Sequence, residues 1–329
     1  MKSRPLLLLA LPIFLILFGL ALSLGPRPIT FNELWNALVA RDFNRPEDIV
    51  VWSLRIPRLV AALFCGAALG AAGSIMQTVT RNPLADPGLL GINAGAAFGV
   101  VIFIAVAGDA ITLARSVAAM AGATSGALAV LALGAFAGSR PHPIRLLLAG
   151  AAVSAFFLAI VRGFLLLSQQ ALDTYRFWVM GGLDGISMAA IGTLSPLFTA
   201  GLVLAVAAGL MLNAYVLGED LARSLGVDIR LAYLLALAAA VCLCSAVVTL
   251  AGPIGFVGLI APHLAMRLVA GDERIRLLVS ALLGATILLA ADIAGRLLFA
   301  GTGMQAGVMV AVIGAPALIL AIRRGRVGV

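Results

Sequence analysis

The chain has 329 residues, of which 63% are hydrophobic and 11% charged, with a formal net charge of +8. Soluble domains carry about 25% charged residues, and transmembrane barrels show alternating strands of about ten residues; continuous apolar runs exclude both and define an all-α polytopic membrane protein. The positive charge is nearly all arginine, and the single lysine, Lys2, leaves none for a Walker A loop or a buried Schiff base.

Apolar runs predict ten spans, over residues 5–24, 57–79, 89–107, 113–137, 144–168, 190–212, 229–250, 254–269, 276–298 and 305–322. Abundant glycine suits the close packing of membrane helices. The first run, Leu6 to Leu24, follows Lys2 and Arg4 and exceeds the roughly 7–15 residues of a signal-peptide core, so it reads as a transmembrane helix. With the N-terminus in the cytoplasm, the inner segments carry 13 basic residues and the outer segments 8, which favours N-in and C-in. The outer excess lies mostly in the first loop, residues 25–56.

That loop ends in Arg55-Ile-Pro-Arg58, where Pro57 fits the first turn of a helix. The two arginines either snorkel at the interface or form a pair that docks carboxylates. Next comes QTVTRNPLADPGLLG, residues 77–91. Asn82-Pro83 and Asp86-Pro87-Gly88 are strong turn signals, read as a structured reverse turn or a gate. The segment 169–189 has Tyr175 and Trp178 at an interface and leaves room for a short extra helix.

The stretch Leu217 to Arg230, LGEDLARSLGVDIR, is a polar island between two apolar runs. Read as a helix, it puts Leu221 and Leu225 on one face with Ala222 beside them, and pairs Glu219 with Arg223 at i,i+4. Glu219 and Asp220 lie in the first turn, where the helix dipole favours negative charge. Gly218 permits the start and Gly226 is placed for a left-handed cap. It is either a capped surface loop or a docking element for a cytoplasmic partner.

In GPIGFVGLIAPHLAMR, residues 252–267, Gly252-Pro253 breaks the helix, and Pro262-His263 is expected to interrupt it again before Arg267. Broken helices in a bilayer persist only when buried in protein or lining a cavity, which suggests a gating segment. Asp292 and Arg296 form an i,i+4 pair at the end of the ninth span. Cys65, Cys242 and Cys244 fall inside spans and read as small buried residues. His142 and His263 are too isolated for a metal cluster, and no cofactor site is read from the chain. Spans 2–5 and 7–10 start from opposite sides, the arithmetic of an inverted repeat.

SLRIPR, GAALGAAGSIMQTVTRNPLADPGLLGINAGAAFG, LGEDLARSLGVDIR, GPIGFVGLIAPHLAMR and GVMVAVIGAPALI follow one another in this order. Together they resemble the permease subunits of type II ABC importers, the FecCD-type family that handles iron–siderophore complexes, haem and cobalamin. The resemblance covers residues 50 to 322 and implies a ten-helix permease working as a homodimer or heterodimer. Two separate ATPase subunits would dock below, and a periplasmic or lipid-anchored binding protein would deliver the substrate, with ferric siderophore as the expected cargo. It also implies that Glu219, Asp220, Leu221, Arg223, Leu225 and Gly226 belong to coupling helices seated in the ATPase. Arg55, Arg58 and Arg296 would meet carboxylates of the binding protein. One departure is Met304-Gln305-Ala306, where many relatives carry Glu-Leu-Pro. An ion-coupled secondary transporter is the alternative class, but it would place acids near the bilayer midplane, whereas Asp292 lies towards a helix end. An embedded enzyme would need an acid pair, metal cluster or nucleophile–base set that the chain lacks.

Overall fold

The computed structural model describes residues 4–25, 29–42, 44–107, 112–136, 143–216, 218–269, 271–299 and 304–323, and all regular structure among them is helical. The chain opens with α1 (Arg4–Ser23), α2 (Phe31–Ala40) and α3 (Pro46–Ile49), and a π turn over Val50–Arg55 leads into α4 (Ile56–Thr80). After a 3₁₀ turn at Pro87–Leu90 come α5 (Ile92–Ala107), α6 (Thr112–Phe136), α7 (Pro143–Leu167), α8 (Gln169–Val179) and α9 (Met188–Tyr215). The last five are α10 (Glu219–Ser224), α11 (Ile229–Ala251), α12 (Val257–Leu268), α13 (Glu273–Leu298) and α14 (Ala306–Arg323).

Ten of these match the expected spans: α1, α4 to α7, α9 and α11 to α14. Six are long and apolar enough to cross a membrane, and four shorter apolar helices account for the rest. The shortest, α5 and α12, are the Gly- and Pro-interrupted runs. The extra helix expected between the fifth and sixth spans is α8, N-capped by Ser168, whose hydroxyl accepts from the Ala171 N–H at 3.2 Å.

The core is built around α4, which packs on α13, α11, α12 and α9. Small residues make this possible. A Cβ at Gly66 would meet the Gly284 carbonyl oxygen, and one at Gly73 would meet that of Gly258, so α4 lies backbone-to-backbone on α13 and α12. Membrane helices associate by such packing, because lipid supplies no hydrophobic drive between them. Each packing in the quartet α4–α7 has a counterpart in α11–α14. α5 packs on α6 and α7 as α12 packs on α13 and α14; α4 packs on α13 as α11 does on α6; α4 packs on α12 as α11 does on α5.

Two expectations need correction. Pro57 does sit in the first turn of α4, but the helix does not start there. It continues back through the π turn, where the Ile56 N–H bonds the Val51 carbonyl, to Pro46. The first loop also holds α2, opened by a capping box in which the Thr30 hydroxyl accepts from the Glu33 N–H and the Glu33 carboxylate accepts from the Thr30 N–H.

The second correction is Pro262. It lies inside a continuous α12 and does not interrupt it. Proline removes the N–H that would have bonded the carbonyl four residues back. Here that carbonyl is Gly258, and the Gln77 side-chain Nε2 from α4 donates to it at 3.4 Å and to Leu259 at 3.3 Å. A buried neighbour replaces the lost donor.

Candidate functional site

Two clusters stand at opposite ends of the bundle. At the α8 end, the sequence places Arg55 and Arg58 one turn apart, and Asp292 and Arg296 one turn apart on α13. Packing of α13 on α4 joins them. Asp292 is fully buried. Its carboxylate accepts from Arg58 Nε at 2.9 Å and pairs with Arg296 Nη2 at 2.9 Å. Arg58 also pairs with Asp184 in the α8–α9 loop. Arg296 Nη1 donates to the carbonyls of Ala21 and Leu24 at the end of α1, at 3.2 and 3.1 Å. Arg55 is buried and donates to the Leu22 carbonyl. All three arginines named for docking therefore form one cluster, turned inward on α1, Asp184 and Asp292. The i,i+4 pair of Asp292 with Arg296 is present; the long-range pairing with Arg58, 234 residues away, comes only from the packing of α13 on α4.

Beside this cluster the break at Gly252-Pro253 ties three elements together. Gly252 has φ 74°, a left-handed value that favours glycine, and a side chain there would meet the Trp178 carbonyl. The Gly182 N–H donates to Ala251 O at 2.8 Å, and the Gly307 N–H at the start of α14 donates to Gly181 O at 2.9 Å. A cavity of about 850 Å³ opens here between α6, α8, α9 and α11, with Arg115, Trp178, Asp184, Thr249 and Gln305 in its wall. Gln305, the middle residue of the Met304-Gln305-Ala306 departure, thus faces a cavity.

At the α10 end, α10 spans six residues between α9 and α11. Gly218 opens it at φ 115° and Gly226 closes it at φ 79°, the left-handed cap expected from the sequence. Ala222 is fully buried, while Leu221 and Leu225 are 48% and 61% exposed. The small residue seats the helix and the two leucines project from it. Asp220 and Arg223 are exposed as well. Leu217 and the Glu219 side chain lie outside the described residues. Asp228 caps α11, accepting from the Arg230 N–H at 2.8 Å.

The reverse turn at Asn82-Pro83 is a built structure. Arg81 ends α4 with φ 48°, and the Asn82 side chain accepts from the Leu84 N–H at 2.9 Å. Asp86 accepts from the Gly88 N–H at 2.7 Å. Burial pushes its carboxyl above the usual carboxylate range, and the Gly88 bond offsets part of that rise. His263 accepts from Arg267 at 2.9 Å, which places the imidazole proton on Nδ1. It lines a second cavity together with Asn82 and Pro83.

A ten-span helical bundle, with two exposed leucines on a short helix at one end and a buried arginine–carboxylate cluster at the other, is a polytopic membrane protein. The model of the FecCD transport family matches residues 13–324. The ferric enterobactin transport system permease protein FepD of Escherichia coli (strain K12) is 38% identical over 313 residues, covering 95% of this chain and 93% of that protein. The probable siderophore transport system permease protein YfiZ of Bacillus subtilis (strain 168) is 36% identical over 321 residues, covering 95% and 94%. Further relatives are named for ferric citrate, haemin and cobalamin transport. A solved structure of a metal-chelate type ABC transporter in an inward-facing conformation superimposes with a TM-score of 0.84 at 25% identity, covering 98% of this chain and 99% of that one. The chain belongs to the FecCD transport family.

Proposed function

We propose that this chain is the membrane permease of an ATP-driven ABC importer and that its cargo is a ferric siderophore. The observation that carries the reading is α10: a capped helix, seated by Ala222, that presents Leu221 and Leu225 to solvent. A chain without a Walker A lysine needs a partner to hydrolyse ATP. A short rigid helix with an apolar face is suited to transmit that partner's motion. Family membership supports the importer class, and the siderophore permeases among the relatives support the cargo.

In this reading the α10 end is cytoplasmic and faces two ATPase subunits. A binding protein docks at the α8 end, where its carboxylates compete with Asp292, Asp184 and the α1 carbonyls for Arg55, Arg58 and Arg296. The chain is a single permease domain whose quartets α4–α7 and α11–α14 are inverted repeats; the matched packings support this. It pairs with a second copy or a similar permease in the inner membrane.

The test is uptake in a strain lacking the gene, with and without its restoration, using labelled ferric siderophores, ferric citrate, haem and cobalamin. Loss of siderophore uptake alone is the expected outcome. Loss confined to another cargo would overturn the substrate, and unchanged uptake of all four would overturn the cargo class.

A further inference from the structure

The cavity at the α10 end is basic, and its function is not covered by the reading above. It encloses about 570 Å³ between α4, α9, α12 and α13, and its wall includes Gln77, Arg81, His263, Arg267, Glu273 and Arg276. Three guanidiniums face one carboxylate and a neutral imidazole. Each arginine already has at least one internal anchor. The Arg81 guanidinium stacks 4.5 Å from the Tyr215 ring centroid, Arg267 donates to His263, and Arg276 pairs with Glu273 and donates to Thr78. These anchors hold the groups in place and leave further N–H donors for a ligand.

Two atoms of residues in this wall are shielded from it and have no hydrogen-bond partner among the described residues: Arg276 Nε, a donor, and Gln77 Oε1, an acceptor. Gln77 is only 5% exposed, and its amide orientation follows from the bonds its Nε2 donates to Gly258 and Leu259. Buried polar atoms without partners are unfavourable, so a site holding one of each kind suits a ligand that supplies both. The acceptor it must supply is anionic, because the wall is basic. The donor must be a neutral hydroxyl, because an ammonium would face three guanidiniums.

We infer that this cavity binds a glycerol phosphate group, the phosphate meeting Arg81, Arg267 and Arg276 and a glycerol hydroxyl meeting Gln77, with the shielded Nε and Oε1 uncovered by side-chain rotation on binding. Phosphatidylglycerol carries that group, and basic pockets between transmembrane helices take anionic head groups. A soluble glycerol phosphate has the same chemistry. The inference rests on the cavity and not on the cargo, so the uptake panel and the following test can fail separately.

The full chain is purified in detergent and titrated by native mass spectrometry with short-chain phosphatidylglycerol, short-chain phosphatidylcholine and sn-glycerol 3-phosphate. The intact chain is expected to prefer phosphatidylglycerol over phosphatidylcholine by about tenfold or more, since each arginine near an anionic head group contributes about one factor of five. The Arg81→Gln/Arg267→Gln double variant should lose that preference, while Arg176→Gln on exposed α8 should keep it. Competition by sn-glycerol 3-phosphate at matching concentration would assign the site to a soluble ligand, and its failure beside tight lipid binding would assign it to the membrane; both support the inference. Equal affinity of the intact chain for the two lipids would overturn it, with no variant needed. So would a preference that survives in the double variant.

Discussion

Asp292 shows what a single residue does in this bundle. It is fully buried, and two arginines from different helices reach it. A buried carboxylate is tolerated when its charge is matched and its lone pairs are filled. Removing the acid strands Arg58 and Arg296 instead of relieving them. Asp292→Asn is expected to cost roughly 3–5 kcal/mol, the usual penalty for breaking one side of a buried ion pair. The measurement is thermal unfolding of the detergent-purified protein, and a variant as stable as the parent would show that water compensates the arginines. Replacing Asp184, whose side chain is 46% exposed, should change stability far less, because solvent screens that pair.

At the scale of elements, α10 and α12 show how far residues can be read in order. The cap at Gly226 and the outward pair Leu221 and Leu225 were legible, because caps and helical faces are decided by neighbours within one turn. The capping box of α2 was legible in principle, since Thr30 and Glu33 have the required spacing, but a short amphipathic helix is easily passed over inside a charged loop. The continuity of α12 through Pro262 is not legible locally, for a different reason. The donor that keeps α12 continuous comes from Gln77, 181 residues away from Gly258. Arg58 and Asp292 are 234 residues apart, and only tertiary packing brings them together. For α10 itself, Glu219→Lys with Leu221→Arg should abolish uptake while the protein still inserts at its normal level, because Leu221 is exposed and the buried Ala222 that seats the helix is untouched. Uptake at the parental rate in that double variant would remove α10 as the contact with the ATPase.

For the whole molecule the decisive question is which end of the bundle faces the cytoplasm. Arginine is heavier in the segments at the α10 end, which by the positive-inside rule supports the proposal that this end is cytoplasmic. The first loop works against this count with Arg41, Arg45, Arg55 and Arg58. The structure accounts for much of that excess. Arg55 and Arg58 are drawn into the bundle, and Arg41 stacks 4.3 Å from the Trp52 ring centroid. A basic residue neutralised by Asp292 weighs less on topology than one free in a cytoplasmic loop. The arrangement can be read directly with cysteines, since native Cys65 and Cys244 are buried and Cys242 is partly so. A membrane-impermeant maleimide applied to intact spheroplasts should label Gln170→Cys on exposed α8 and spare Leu225→Cys on α10. Inverted vesicles should give the opposite pattern. Labelling of Leu225→Cys from outside would turn the bundle over, and with it the assignment of α10 to an ATPase and of the arginine cluster to a binding protein.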